Sequence, residues 1–238
     1  MERPNSGFVV HPQVFEVLPG LHIATVVASG LDNRAAHPGV ERFWSKAWQS
    51  AAEAAQYGNA QSHPRVAHWR EAFKRIGVSG RQFPSSIEAL LRRALKCGEP
   101  VRINPLVDFY NAVSLRHAVP AGGFDLDALG GAVELRLTQN GDRFRALGES
   151  DEIEVEPGEI AYATGSTILT RHIVWRQSEM GLIAPDTARV MLVSEVLGPL
   201  GAHVAHEARA DLVDGLREFF GVSAESWIIS AETPAISW

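Results

Sequence analysis

Apolar residues along this chain recur at spacings near two and near 3.6, and the changes between these spacings outline its elements. Residues 7–10 (Gly-Phe-Val-Val), residues 14–18 (Val-Phe-Glu-Val-Leu) and, after Pro19-Gly20, residues 21–27 read as strands. A loop over residues 32–39 leads to a helix from Val40 through Trp44 and Trp48 to Tyr57, which residues 58–63 break. Pro64 starts the next helix, where Val66, Trp69, Phe73 and Ile76 keep helical spacing up to Gly77. Ser85-Ser86-Ile87-Glu88 has capping-box spacing and predicts another, through Leu90, Leu91 and Leu95 to Gly98.

The middle of the chain carries the most informative pattern. Asn104 suits a helix cap and Pro105 a first turn, so residues 106–118 read as roughly three to four turns at 3.6 residues per turn. Leu106, Phe109, Tyr110 and Val113 then share a face that packs inward, while Asn104, Asp108 and Asn111 form a polar stripe. Short groups that donate and accept hydrogen bonds suit a cleft floor. The plainer reading is a buried helix whose polar residues pin loops. Pro120 ends the helix, and Gly122-Gly123 form a loop where another backbone or a ligand approaches closely.

Beyond it, residues 133–138 alternate as a half-buried strand, and Asn140-Gly141 predicts a hairpin turn into residues 144–147. A solvated acidic loop, residues 149–156, precedes a second hairpin, residues 159–163 and 167–175, about Gly165-Ser166. Residues 189–193 read as a strand that can continue to Val196, residues 204–220 as an amphipathic helix, and the remainder as a short tail ending at Trp238.

Composition narrows the function. The chain has 238 residues, 45% of them hydrophobic, enough for a sizeable core in one large or two small domains. No apolar run approaches roughly 18 residues, and Met1-Glu2-Arg3-Pro4-Asn5 resembles neither a signal peptide nor an anchor, so a cytoplasmic protein without a membrane partner is expected. Cys97 is the only cysteine, which excludes intrachain disulfides and cysteine-rich zinc sites and suits a packing role. A net charge of -6 argues against sequence-independent nucleic-acid coating, and no DNA partner is expected. Positive charge nevertheless gathers on two early helices, where Arg70, Lys74 and Arg75 make a weak RNA-backbone candidate beside the plainer reading of solvated helix faces.

The chain has no Gly-rich dinucleotide loop, no phosphate-binding loop and no nucleophile elbow, so no cofactor is expected. His203 and His206 lack the four-residue spacing of a zinc helix, and no metal site is assigned. His172 reads as a structural strand histidine. Trp175-Arg176-Gln177 makes a recognition edge: a flat indole, a guanidinium that forks onto a carboxylate or phosphate, and an amide that donates and accepts.

These runs together, Asn104-Pro105-Leu106-Val107-Asp108-Phe109-Tyr110-Asn111, Pro120-Ala121-Gly122-Gly123-Phe124-Asp125-Leu126-Asp127 and Trp175-Arg176-Gln177-Ser178, resemble the B3/B4 domain of the phenylalanyl-tRNA synthetase beta subunit. More closely, they are similar to free-standing B3/B4 proteins, in which Trp69-Arg70-Glu71-Ala72-Phe73 and Ser86-Ile87-Glu88-Ala89-Leu90 also find counterparts; the likeness is strongest over residues 60–197. The resemblance implies an α+β fold, one B3/B4-type domain over residues 1–238 with a mixed or antiparallel sheet and flanking helices. It also implies a pocket which, in the synthetase, hydrolyses mischarged tyrosyl-tRNA. Asn111 falls on the pocket asparagine, and Gly122 falls where the synthetase has a histidine. The editing glutamate aligns with Val193, with Glu195 two positions on as the alternative.

The resemblance thus implies a stand-alone editing factor acting on aminoacyl-tRNA, or a non-catalytic binder of an amino-acid-like molecule or RNA, and no aminoacylation without a synthetase core. The catalytic candidates are Asn111 and Asp108; Asn104, Asn111, Gly122, Gly123, Arg171, Trp175, Arg176 and Gln177 are expected to bind substrate.

Overall fold

The structure is a computed structural model that describes residues 7–96 and 99–238. In chain order the first half comprises β1 (Gly7–Val10), α1 (Pro12–Val17), β2 (His22–Ser29), α2 (Pro38–Ala51), α3 (Pro64–Arg75), α4 (Ser86–Ala94) and α5 (Pro105–His117). The second half adds β3 (Gly122–Asp125), β4 (Val133–Leu137), β5 (Arg143–Phe144), β6 (Ile153–Glu154), β7 (Ile160–Thr164), β8 (Thr167–Arg171) and β9 (Arg176–Gln177). It closes with β10 (Arg189–Val196), α6 (Gly201–Phe220), β11 (Ala224–Ile229) and β12 (Ala235–Ser237). This is the expected α+β class, with two sheets among the described residues.

The larger sheet is mixed and runs β12-β1-β4-β7-β8-β5-β6, with β9 paired to β8. The smaller is antiparallel, β11-β2-β10-β3, so β3 stands at its edge. Leu135, Tyr162 and Leu169 from the larger sheet and Ile23, Met191 and Val193 from the smaller meet in one core. The opposite face of the smaller sheet, Val26, Val190 and Leu192, packs on Phe109 and Val113 of α5 and Leu212 and Leu216 of α6. The central helix is therefore a wall behind the smaller sheet. Its far side buries Ala112 and Leu115 against Trp44 and Trp48 of α2 and Ile87 and Leu91 of α4.

Local chemistry explains several boundaries. Ser85 caps α4 by accepting the Glu88 N–H, as the capping-box spacing predicts. Asn104 caps α5 by accepting the Val107 N–H at 3.0 Å. That helix ends at Ala118, a non-glycine residue in the left-handed region at φ 50°.

Other expectations are corrected. Residues 14–18 are not a strand: Pro12 opens α1, and Val14 and Leu18, four apart, bury one helical face. The Asn140-Gly141 turn does not join a hairpin, because β4 pairs with β1 and β7 whereas β5 pairs with β6 and β8. Instead Asp142 folds the turn back, accepting the Gln139 N–H and both guanidinium arms of Arg136. Gly122-Gly123 lie in strand β3 rather than in a loop, and the tail contributes β11 and β12. The predicted strand through Trp175 ends at Arg171, and the chain turns before β9. The opening residues, Cys97 and the predicted helix end at Gly98 lie outside the described residues. No helix among the described residues is long and apolar enough to cross a membrane.

Candidate functional site

The two sheets diverge beside β3, and a cleft of about 90 Å³ opens at their seam. Gly122, Gly123, Val193 and Glu195 line it from the smaller sheet, and Tyr162, Trp175, Arg176 and Gln177 from the larger. Val193 and Glu195 stand two apart on β10, so the pleat turns both side chains into the cleft.

Two polar contacts cross the seam. Tyr162 Oη donates to Glu195 Oε1 at 2.6 Å, both side chains being buried. Gln177 Nε2 donates to the Gly123 carbonyl at 2.9 Å. Leu126 N–H bonds Arg189 on β10, while Asp125 N–H points the other way to Gly181. The alternation of the strand therefore turns the Gly123 N–H to the outer edge, beside the Gln177 amide. Burial pushes the Glu195 carboxyl up to about 7, with the Tyr162 hydrogen bond pulling the other way. The Tyr162 phenol is pushed well above its ordinary 10, so it stays a donor.

Trp175, Arg176 and Gln177 reach the cleft through a turn at residues 172–175. His172 and Ile173 both occupy the left-handed region, at φ 46° and 56°. For side chains with a Cβ this costs roughly 1–2 kcal/mol each, more acutely for a β-branched residue. The surroundings hold the turn: Glu159 accepts the His172 N–H at 2.6 Å, Ile160 the Ile173 N–H at 2.7 Å, and the Ser86 N–H donates to Val174 at 2.7 Å. The His172 ring packs 4.1 Å from Phe83 and 5.7 Å from Trp175, and neither ring nitrogen has a hydrogen-bond partner among the described residues. Burial lowers its pKa, with the Glu159 carboxylate 3.7 Å from Nδ1 pulling the other way.

The structure thus brings Gly122, Gly123, Trp175, Arg176 and Gln177 together. It does not bring the polar stripe of α5 to them. Asn104 lies behind the smaller sheet, where its amide donates to Ile183 and its carbonyl accepts from Asn33 as well as capping α5. Asp108 accepts the Ile103 N–H at 3.0 Å, and with Asn104 lines a separate hollow beside His37 and Glu41. Burial raises the Asp108 pKa. Asn111 is half-buried and lines neither cavity. Arg171 is held by Glu159 through Nε at 2.7 Å and Nη2 at 2.6 Å, away from the cleft lining. Arg176 reaches out to Glu149 at 2.9 Å.

On the basic helices, Arg70 pairs with buried Glu88 at 3.0 Å, whereas Lys74 and Arg75 are exposed. Tyr162 had no role in the sequence-based site, and Glu195 stood there only as the alternative to Val193 for the editing glutamate; their shared signal is a polar group at an inward strand position, Tyr between two alanines and Glu two residues after Val193.

The fold and the seam define an α+β domain in which two sheets close on a small cleft holding a buried carboxylate. The family profile described as "B3/4 domain" matches residues 68–211, more than half of the chain, and the protein belongs to that family. Among solved structures it is similar to an N-terminal fragment of the phenylalanyl-tRNA synthetase beta subunit from Pyrococcus horikoshii, at 12% identity and a TM-score of 0.43. That alignment covers 96% of this chain and 56% of the fragment, so this chain spans just over half of that relative. The comparison with curated proteins gives no match.

Proposed function

We propose that this protein edits aminoacyl-tRNA in trans, hydrolysing the ester of a wrongly charged tRNA in the seam cleft. The observation that carries the reading is Glu195: a buried carboxyl with its pKa at about 7, lining the same cleft as the β3 edge that carries the outward Gly123 N–H. A carboxyl that titrates near neutrality suits general acid and base work, because its basic form accepts a proton from a water and its acidic form returns one to the leaving hydroxyl. The Gly123 N–H and the Gln177 amide stand ready to take the negative charge that develops on the ester oxygen. Arg176 exchanges Glu149 for the terminal phosphate.

A hollow of about 560 Å³ beside α3, lined by Arg70, Lys74 and Arg81 against the single carboxylate Glu71 among the described residues, adds a track for the RNA backbone. Its loop leads to Phe83, whose ring packs 4.6 Å from Trp175 at the cleft. The test is deacylation of a panel of mischarged tRNAs by purified protein. Activity above buffer that falls at least tenfold in Glu195→Gln supports the reading; no activity with any substrate, or full activity in that variant, removes it.

A second reading is a non-catalytic binder of an amino-acid-like molecule. Two observations favour it: the cleft is small, and no imidazole among the described residues lines it, Gly122 leaving open space where a side chain would begin. Thermal-shift titration with free amino acids separates the two, since saturation at about 100 times Kd adds roughly 2.7 kcal/mol of apparent stability without any ester cleavage.

A further inference from the structure

A second, larger cavity shares no lining residue with the seam cleft. It measures about 690 Å³ and lies between α2, the short helical turn Ala52–Tyr57 that follows it, the start of α3 and the end of α5. Small-molecule sites commonly fall in the range of about 300–1,000 Å³.

Its walls divide into two kinds. The floor is aliphatic, made by Ala47, Ala51 and Ala54 with Leu91 and Leu115. The rim is cationic. Lys46 is exposed and has no ion pair among the described residues, and Arg65 spends its described hydrogen bond on the His117 carbonyl rather than on a carboxylate. Arg116 is also at the rim, but Asp211 on α6 answers it at 3.2 Å and accepts from His117 as well. Among the described residues Glu53 is the one carboxylate that lines the cavity. Two cations without carboxylate partners therefore face an apolar basin, the division of surface that a molecule with an anionic head and an apolar body would match.

The body is aliphatic rather than a stacked ring. Phe43, the aromatic residue on the α2 side, already lies beneath the Arg116 guanidinium at 6.0 Å and against Phe219 at 5.8 Å. The Tyr57 ring is engaged edge-on by His63 at 4.9 Å. A flat base or indole would find both rings taken, whereas a hydrocarbon chain needs only the alanine and leucine methyl surface. The imidazole of His63 adds no charge to the rim, since burial and the neighbouring Arg65 lower its pKa and its Nδ1 accepts the Arg65 N–H.

We propose that this cavity binds a medium-chain aliphatic carboxylate, its head between Lys46 and Arg65 and its chain on the floor of Ala47, Ala51 and Leu115. The test is calorimetric titration of the full chain with octanoate, 1-octanol and AMP, with NMR shifts of the Ala51 and Ala54 methyl groups as the reporter of place. Octanoate is expected to bind saturably below 1 mM, octanol at least tenfold more weakly, and Lys46→Glu to weaken octanoate at least tenfold while leaving octanol unchanged. Lys46 is exposed, so that variant retains the fold. No saturable octanoate binding, equal binding of octanol, shifts confined to methyls outside the cavity, AMP binding at these methyls in place of octanoate, or octanoate binding unchanged in Lys46→Glu each overturns the proposal.

Discussion

The hydroxyl of Tyr162 on β7 lies 2.6 Å from the carboxylate of Glu195 on β10, and this bond ties one sheet to the other inside the cleft. A donor to a carboxylate favours its ionised form, so the phenol holds the Glu195 pKa below the value that burial alone would set. Replacing Tyr162 with Phe is expected to raise the midpoint above about 7, followed by carbon NMR titration of the Glu195 carboxyl. A midpoint that stays or falls would contradict this account of the bond.

Glu195 also makes stability depend on pH. Its folded pKa of about 7 exceeds the ordinary 4.5, so between those values the folded state binds more protons than the unfolded chain. Stability is therefore highest below the unfolded value and is lost as pH rises from about 4.5 to about 7. The full change is on the order of 3 kcal/mol, at about 1.4 kcal/mol per pKa unit. Urea denaturation across this window is expected to show that fall in the native protein and a flatter profile in Glu195→Gln.

The neighbouring glycines of β3 are expected to respond differently to the same change. A Cβ at Gly122 meets no atom within 4 Å, whereas one at Gly123 would stand 2.7 Å from Cδ2 of Leu192. Gly122→Ala should stay within about 0.5 kcal/mol of the native stability, and Gly123→Ala should cost about 1–3 kcal/mol through overpacking. Equal losses in denaturant midpoints would show that the strand shifts to accept both.

Arg136 and Asp142 form a bidentate pair whose side chains are each only 4% exposed. Removing one charge strands the other, so Asp142→Asn is expected to cost about 3–5 kcal/mol in urea denaturation. Loss of both, in Arg136→Met with Asp142→Leu, should cost less than the single change. If the double variant is the less stable, the pair contributes more than its own desolvation.

Much of the helical layer was legible because the sequence advertises its ends. Asn104 with Pro105, and Ser85 with Glu88, are local capping signals that work without tertiary help. The Val14 to Leu18 segment misled because a short apolar run fits either period, and Pro12 decided it. The hairpin expected at Asn140-Gly141 failed for a different reason: the turn chemistry is real, yet Arg136 recruits Asp142 and the flanking strands find distant partners.

At the site, residue chemistry singled out Gly122, Gly123 and the Trp175 to Gln177 edge before the resemblance joined them, and the fold brings them together. The polar stripe of α5 looked like a cleft floor because periodicity says which residues share a face, not what that face meets. Asn104 and Asp108 face loops behind the smaller sheet instead.

The bond from Gln177 to Gly123 also bears on solubility. An edge strand with open N–H and C=O groups is a template on which another chain can pair. Along β3 the Gln177 amide occupies the Gly123 carbonyl and the Gly181 carbonyl takes the Asp125 N–H, so the edge nearest the cleft is partly blocked against a second chain. A side chain that helps shape the cleft thus also guards against self-association, and changes at Gln177 made to alter ligand recognition carry an aggregation risk.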